Sequence, residues 1–236
     1  NMAAAGGVIG ALVLSLAMTG KSDVTMVING AMQVAQRGTS ATGINTDSSA
    51  TEGYRTVDRF LFGGGDAGVW TMTQDSDSPV GFGSSMKLDC TTAKSSLDAG
   101  SYLYILNRIE AQDLQQLGYG TSSPQAITLS FWVKSPKTGT HYAELYHGDS
   151  SGSTKRKNSY AYTVSTANTW EKKTVTFAGD TSGAIDNDAN RSLDISWKLL
   201  IGSNFTGTAS TTWGSTTDAR SANGHTATWG SSTSYD

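Results

Sequence analysis

Residues 126–134 alternate strictly between apolar and polar positions. Ile127, Leu129, Phe131 and Val133 fall on one side, and Thr128, Ser130, Trp132 and Lys134 on the other. Period two in β-branched and aromatic residues predicts a strand with one buried face. Residues 141–147 form a second run, and Pro136-Lys137-Thr138-Gly139 between them predicts a hairpin. Further runs at 24–34, 54–62, 68–74, 85–91, 101–109, 157–164, 169–177 and 193–201 bring the expectation to roughly ten strands. In the run 101–109, Leu103, Ile105, Asn107 and Ile109 alternate with Tyr102, Tyr104, Leu106 and Arg108, so both faces are at least partly covered. Gly63-Gly64-Gly65 reads as a strand stop, 38–53 and 180–190 as polar connections, and 110–117 as two turns of helix before Gly118. The predicted fold class is all-β: an antiparallel β-sandwich over residues 24–236.

The first 20 residues break this pattern, for they contain no charged side chain. A secretory signal carries a basic start, which is missing before Ala3. A membrane helix needs about 20 predominantly apolar residues, whereas Gly6, Gly7, Gly10, Ser15 and Thr19 dilute this one. No membrane insertion is expected. Val8, Ile9, Leu12, Val13, Leu14 and Leu16 would form a sticky patch if left open to water. Residues 1–23 therefore read as an extended apolar arm covered by neighbouring subunits. The expected partner is the chain itself, in a closed homo-oligomer with a trimer favoured.

Composition narrows the functional classes. Charged residues make up 16% and hydrophobic residues 37%, and the net charge is −3. The basic cluster Lys155-Arg156-Lys157 reads as a solvated loop, and no nucleic-acid partner is expected, since phosphate binding needs many cations on one face. Cys90, the one cysteine, sits in an alternating run and reads as a small buried hydrophobe rather than a catalytic thiol. His141, His147 and His225 supply it with no recognisable partner motif. Asp186-Asn187-Asp188-Ala189-Asn190 offers oxygen ligands to calcium, but Asp and Asn are ordinary turn residues. No cofactor is expected, and a structural calcium is the one metal weighed.

Glycoside cleavage needs paired carboxylates. Glu110, Asp113, Glu144, Asp149, Glu171, Asp180, Asp186 and Asp188 are available, yet their spacing singles out no pair, and most read as solvated. No phosphate loop, metal spacing or nucleophile motif is present. The expectation is a chain that is not an enzyme, with a polysaccharide-degrading activity as the alternative. Asp58-Arg59 reads as an internal tie in preference to a ligand clamp. Trp132, Tyr142, Glu144 and Tyr146 occupy alternating positions of the expected hairpin and could share a face that grips a sugar. Against that stands a role as buried area in the core or at a subunit interface.

Residues 28–40, Ile-Asn-Gly-Ala-Met-Gln-Val-Ala-Gln-Arg-Gly-Thr-Ser, resemble the opening of a domain found in marine bacteriophage virion proteins of the structural and tail-fibre kind. Val57-Asp58-Arg59-Phe60, the segment 127–135 and the segment 169–177 (Thr-Trp-Glu-Lys-Lys-Thr-Val-Thr-Phe) follow in the same order. The closing strand usual in that family has no counterpart before Tyr235-Asp236. The resemblance implies a jelly roll similar to carbohydrate-binding modules, exposed on the virion exterior, and no reaction. It implies a tail fibre or tail-associated projection working in assembly and host-surface attachment, in company with other virion proteins. The alternatives are a capsid decoration or head-fibre protein, and a glycan-binding module directed at host-surface glycan.

Overall fold

The computed structural model describes residues 15–17, 26–94, 96–148, 155–207, 211–215 and 221–222. Twelve strands carry the architecture: β1 (Ser15–Ala17), β2 (Ser40–Asn45), β3 (Thr51–Tyr54), β4 (Phe60–Gly65), β5 (Val69–Asp75), β6 (Ser85–Thr92), β7 (Tyr102–Glu110), β8 (Ile127–Val133), β9 (Gly139–His147), β10 (Arg156–Val164), β11 (Glu171–Phe177) and β12 (Arg191–Ile201). Three two-residue strands follow: β13 (Thr206–Gly207), β14 (Gly214–Ser215) and β15 (Ser221–Ala222). One layer is a seven-stranded sheet in the order β14-β10-β9-β12-β7-β4-β3. The other layer is made of two three-stranded sheets, β1-β8-β11 and β2-β5-β6. All their pairings are antiparallel. The fold is the predicted all-β sandwich.

Alternation builds the core between the layers. Phe60, Phe62, Leu103, Ile105, Leu145, Ile195 and Trp197 point inward from the seven-stranded sheet, and Ile127, Leu129, Phe131, Trp70 and Met72 point inward from the opposite layer. The Phe131 ring packs edge-to-face with Tyr162 and Trp197, centroids 4.9 and 5.9 Å apart, one of the geometries that aromatic quadrupoles favour. Cys90 is buried among these side chains, as expected.

The structure departs from the sequence reading in several places. β8 and β9 do not form a hairpin: β8 pairs with β1 and β11, and β9 with β10 and β12. Both runs bury one face, and the connection carries the chain across the core so that those faces meet. Period two cannot tell a neighbour within a sheet from one across the sandwich. Residues 26–34 form turns rather than a strand, with Asn29 and Met32 at φ 61° and 57°. Asn29 Nδ2 donates to Val34 O and Asp58 O at 2.9 and 3.0 Å, so its side chain replaces ladder bonds. Within the segment read as a polar connection lies β2, and β3 begins there and ends at Tyr54.

The glycines of Gly63-Gly64-Gly65 do not stop a strand; they end β4 inside the sheet. A Cβ on Gly63 would lie 2.4 Å from the Tyr104 ring, and one on Gly65 2.7 Å from the Tyr102 ring. The glycines are thus the floor on which those tyrosines rest. Of Lys155-Arg156-Lys157 only the exposed Lys155 lies outside a strand. Arg156 opens β10, and its Nε donates to Asp180 Oδ2 at 2.6 Å, where Asp180 is fully buried.

The expected helix is a 3₁₀ segment, Ala111–Leu117, closed by Gly118 at φ 58°. From the apolar arm, β1 pairs in register with β8 of the same chain, Ser15 opposite Ser130 and Ala17 opposite Thr128. Leu16 belongs to that strand, whereas Val8, Ile9, Leu12, Val13 and Leu14 lie outside the described residues. Among the described residues no helix is long and apolar enough to cross a membrane.

Candidate functional site

The outer face of the seven-stranded sheet follows from register alone. Inward positions are apolar, so the alternate positions of β9, β12 and β7 face outward in three adjacent rungs. Tyr146 stands opposite Asp194, and Asp194 opposite Arg108. In the next rung Ser159, Glu144, Ser196 and Leu106 follow one another, and in the third Tyr142, Lys198, Tyr104 and Gly63. Glu52, on β3, lies opposite Gly63 and completes that row.

Ser196 is the small residue at the centre, with Asp194 and Lys198 along its strand and Glu144 and Leu106 across from it. The result is a depression of about 230 Å³. Three carboxylates (Glu52, Glu144, Asp194) and three cations (Arg108, Arg191, Lys198) line it together with Tyr104 and Tyr146. Arg108 Nη2 donates to Glu52 Oε1 at 2.7 Å, and the Tyr104 hydroxyl donates to Glu52 Oε2 at 2.9 Å. Lys198 Nζ lies 3.2 Å from Glu144 Oε1, and Ser159 Oγ donates to Glu144 Oε2 at 3.0 Å. Arg191 Nε and Arg108 Nε approach Asp194 Oδ1 at 3.4 and 3.7 Å. Lys198 and Arg191 also stand over the rings of Tyr104 and Tyr146, at 5.0 and 5.7 Å from the centroids.

Burial pushes the Asp194 carboxyl up to about 6, against the pull of Arg191, Arg108 and Lys198. Burial also raises the Tyr104 phenol, with the hydrogen bond to Glu52 adding to the effect. Three buried atoms of this site have no hydrogen-bond partner among the described residues: Ser196 Oγ, Asp194 Oδ1 and Arg108 Nε. Buried polar atoms are normally satisfied. Here a hydroxyl, an acceptor and a donor with unmet capacity converge on one hollow, which suits it to a ligand rich in hydroxyl groups.

Of the residues singled out from sequence, Glu144 and Tyr146 line the depression. Tyr142 shares their face and flanks it, 5% exposed. Trp132 does not join them: it sits on β8 in the opposite layer, facing outward across from Lys172 of β11. The expected hairpin face is therefore corrected, and Trp132 leaves the candidate site. The carboxylates read as solvated need the same correction at Glu144 and Asp180, 2% and 0% exposed. Asp149 lies outside the described residues.

Asp194, Ser196, Lys198, Arg108, Arg191 and Glu52 were not singled out. Their signal was the polar phase of β12: Asp194, Ser196 and Lys198 alternate with Ile195 and Trp197 in a run otherwise apolar. Asp58 Oδ1 accepts from Gln36 N and Arg37 Nη1 at 3.2 and 3.3 Å, so Asp58 is an internal tie, set in a turn where Arg59 has φ 72°. The segment weighed for calcium folds onto itself and onto the 3₁₀ segment: Asp188 Oδ1 accepts from Asn190 N, and Gln112 N donates to Asp188 O. Among the described residues no three His, Cys, Asp or Glu side chains are grouped to hold a metal.

No family model and no curated protein matches the chain. Among solved structures it is similar to the tailspike protein 4 enzymatically active domain of bacteriophage CBA120, with 16% identity and a TM-score of 0.37. The match covers 67% of this chain and 20% of that one, so the chain spans about a fifth of that protein's length. The expectation that the chain is not an enzyme is corrected by this match, which is to a domain described as enzymatically active. Missing sequence motifs and the resemblance were its support, and the convergence of carboxylates is a property of three dimensions. At that TM-score the likeness itself assigns no reaction and no ligand.

Proposed function

We propose that this chain serves on the outside of a bacteriophage particle as an oligomeric, tail-associated projection, and that its depression takes a neutral glycan of the host surface. The virion reading rests on the four ordered segments that resemble virion proteins, and the oligomer on the apolar arm. The glycan reading is carried by one observation: Ser196 Oγ, Asp194 Oδ1 and Arg108 Nε, all buried, make no hydrogen bond among the described residues in the same hollow. Three carboxylates there balance three cations, so an anionic ligand gains no net charge attraction. A polyhydroxyl ligand matches mixed donors and acceptors, and the rings of Tyr104 and Tyr146 offer apolar faces to a sugar ring.

A panel of bacterial and algal polysaccharides tests this reading. Wild-type chain is expected to bind at least one neutral polymer. Ser196→Val, which fills the hollow with an apolar group, is expected to weaken that binding at least about tenfold, the cost of one to two lost hydrogen bonds. Trp132→Ala, in the opposite layer, leaves it unchanged. Binding that survives Ser196→Val but fails in Trp132→Ala would move the site to the other face. Labelling intact particles with an antibody to the chain locates it on tail or head.

A further inference from the structure

We propose that the depression also cleaves the glycan it holds, with Asp194 as general acid and Glu144 as general base in the hydrolysis of a glycosidic bond. This rests on the glycan reading above and deepens it.

The geometry comes from the sheet. Glu144 stands opposite Ser196, and Asp194 is two positions away on the same strand, so the two carboxylates are diagonal neighbours on one face. Diagonal cross-strand Cβ atoms lie about 7 Å apart, a spacing from which two carboxyls can flank one glycosidic bond. Between them is Ser196, whose small side chain leaves the floor open and whose hydroxyl makes no hydrogen bond among the described residues.

The surroundings of the two acids differ. Glu144 lies 3.2 Å from Lys198 Nζ and accepts from Ser159 Oγ at 3.0 Å. Asp194 is 5% exposed, and burial, the dominant influence on it, favours its protonated form. Arg191, Arg108 and Lys198 pull the other way and Glu52 adds to the rise, while Tyr146 faces it across the strand pair. A buried acid diagonal to a second carboxylate in one hollow is the arrangement that acid–base work on a glycoside requires.

Asp194 gives its proton to the bridging oxygen as the bond from that oxygen to the anomeric carbon breaks. A water loses a proton to Glu144, and its oxygen bonds to the anomeric carbon. Each half of the sugar chain ends in a hydroxyl, water is the only co-reactant, and the proton on Glu144 returns to Asp194 through solvent.

The experiment incubates the full chain with each polysaccharide of the panel and measures binding and new reducing ends in the same samples, from pH 4 to 8. Expected is release from a bound polymer that falls as pH rises through about 6. Glu144→Gln and Asp194→Asn are each expected to lower release at least about a hundredfold, as for loss of a general acid or base. Circular dichroism and retained binding in the variants separate lost chemistry from lost folding. Binding without release from any bound polymer overturns the catalytic inference and leaves the glycan reading standing. Release untouched by both substitutions overturns the assignment of residues. Absence of any binding removes both readings.

Discussion

Asp194 owes its behaviour to a conflict between burial and its three cations, and the conflict has a sign. Its folded value of about 6 lies above the ordinary carboxylate range, near 3.9 in an unfolded chain. The folded state therefore binds the proton more tightly, and this stabilisation is fully present below about pH 4 and lost as pH rises through about 6. A two-unit rise corresponds to about 3 kcal/mol. Asp194→Asn keeps the shape and removes the titration, so urea unfolding at pH 7.5 is expected to show a variant more stable than wild type by up to that amount. At pH 4 the gap closes. A variant no more stable at pH 7.5 would mean that Arg108 and Arg191 fully compensate the buried charge. Little of this was legible from residues alone. Glu144 and Tyr146 could be picked from their own strand, but their partners come from β3, β7 and β12. Sequence spacing carries no information about which strands are neighbours.

Strands were legible where one face is apolar and the other polar, as in β6, β7, β8, β11 and β12. They were hidden where the backbone rather than the side chains makes the case: β2 and β3 are held by pairing to β5 and β4, with few apolar residues of their own. β4 was misread because its glycines answer to Tyr102 and Tyr104, tens of residues away. That element carries its own test. In Gly63→Ala the new methyl would overlap the Tyr104 ring, so the ring must lift and its hydrogen bond to Glu52 is lost. The expected cost is about 1–3 kcal/mol. Combined with Tyr104→Ala the penalty is expected to shrink, a non-additive cycle readable by thermal melts.

For the whole molecule, the proposed oligomer makes a prediction in mass. Light scattering or native mass spectrometry of the full chain is expected to give a multiple of 24.7 kDa, with three copies favoured, and removal of residues 1–14 is expected to shift it to one copy. That truncation spares β1 and its pairing with β8, so the sheet is kept. A full-length monomer would refute the arm as the joint between subunits. How copies can meet is further limited by the way the large sheet ends. Its last strands are β14, with two residues, and β3, with four, and β14 pairs only Arg156 and Lys157 of the nine-residue β10, so the margin covers a small part of the edge that a further strand could join. The rim of the sheet along β10 is thus the side on which its hydrogen-bonding ladder can be extended, while the broad polar face within that rim is left to the solution.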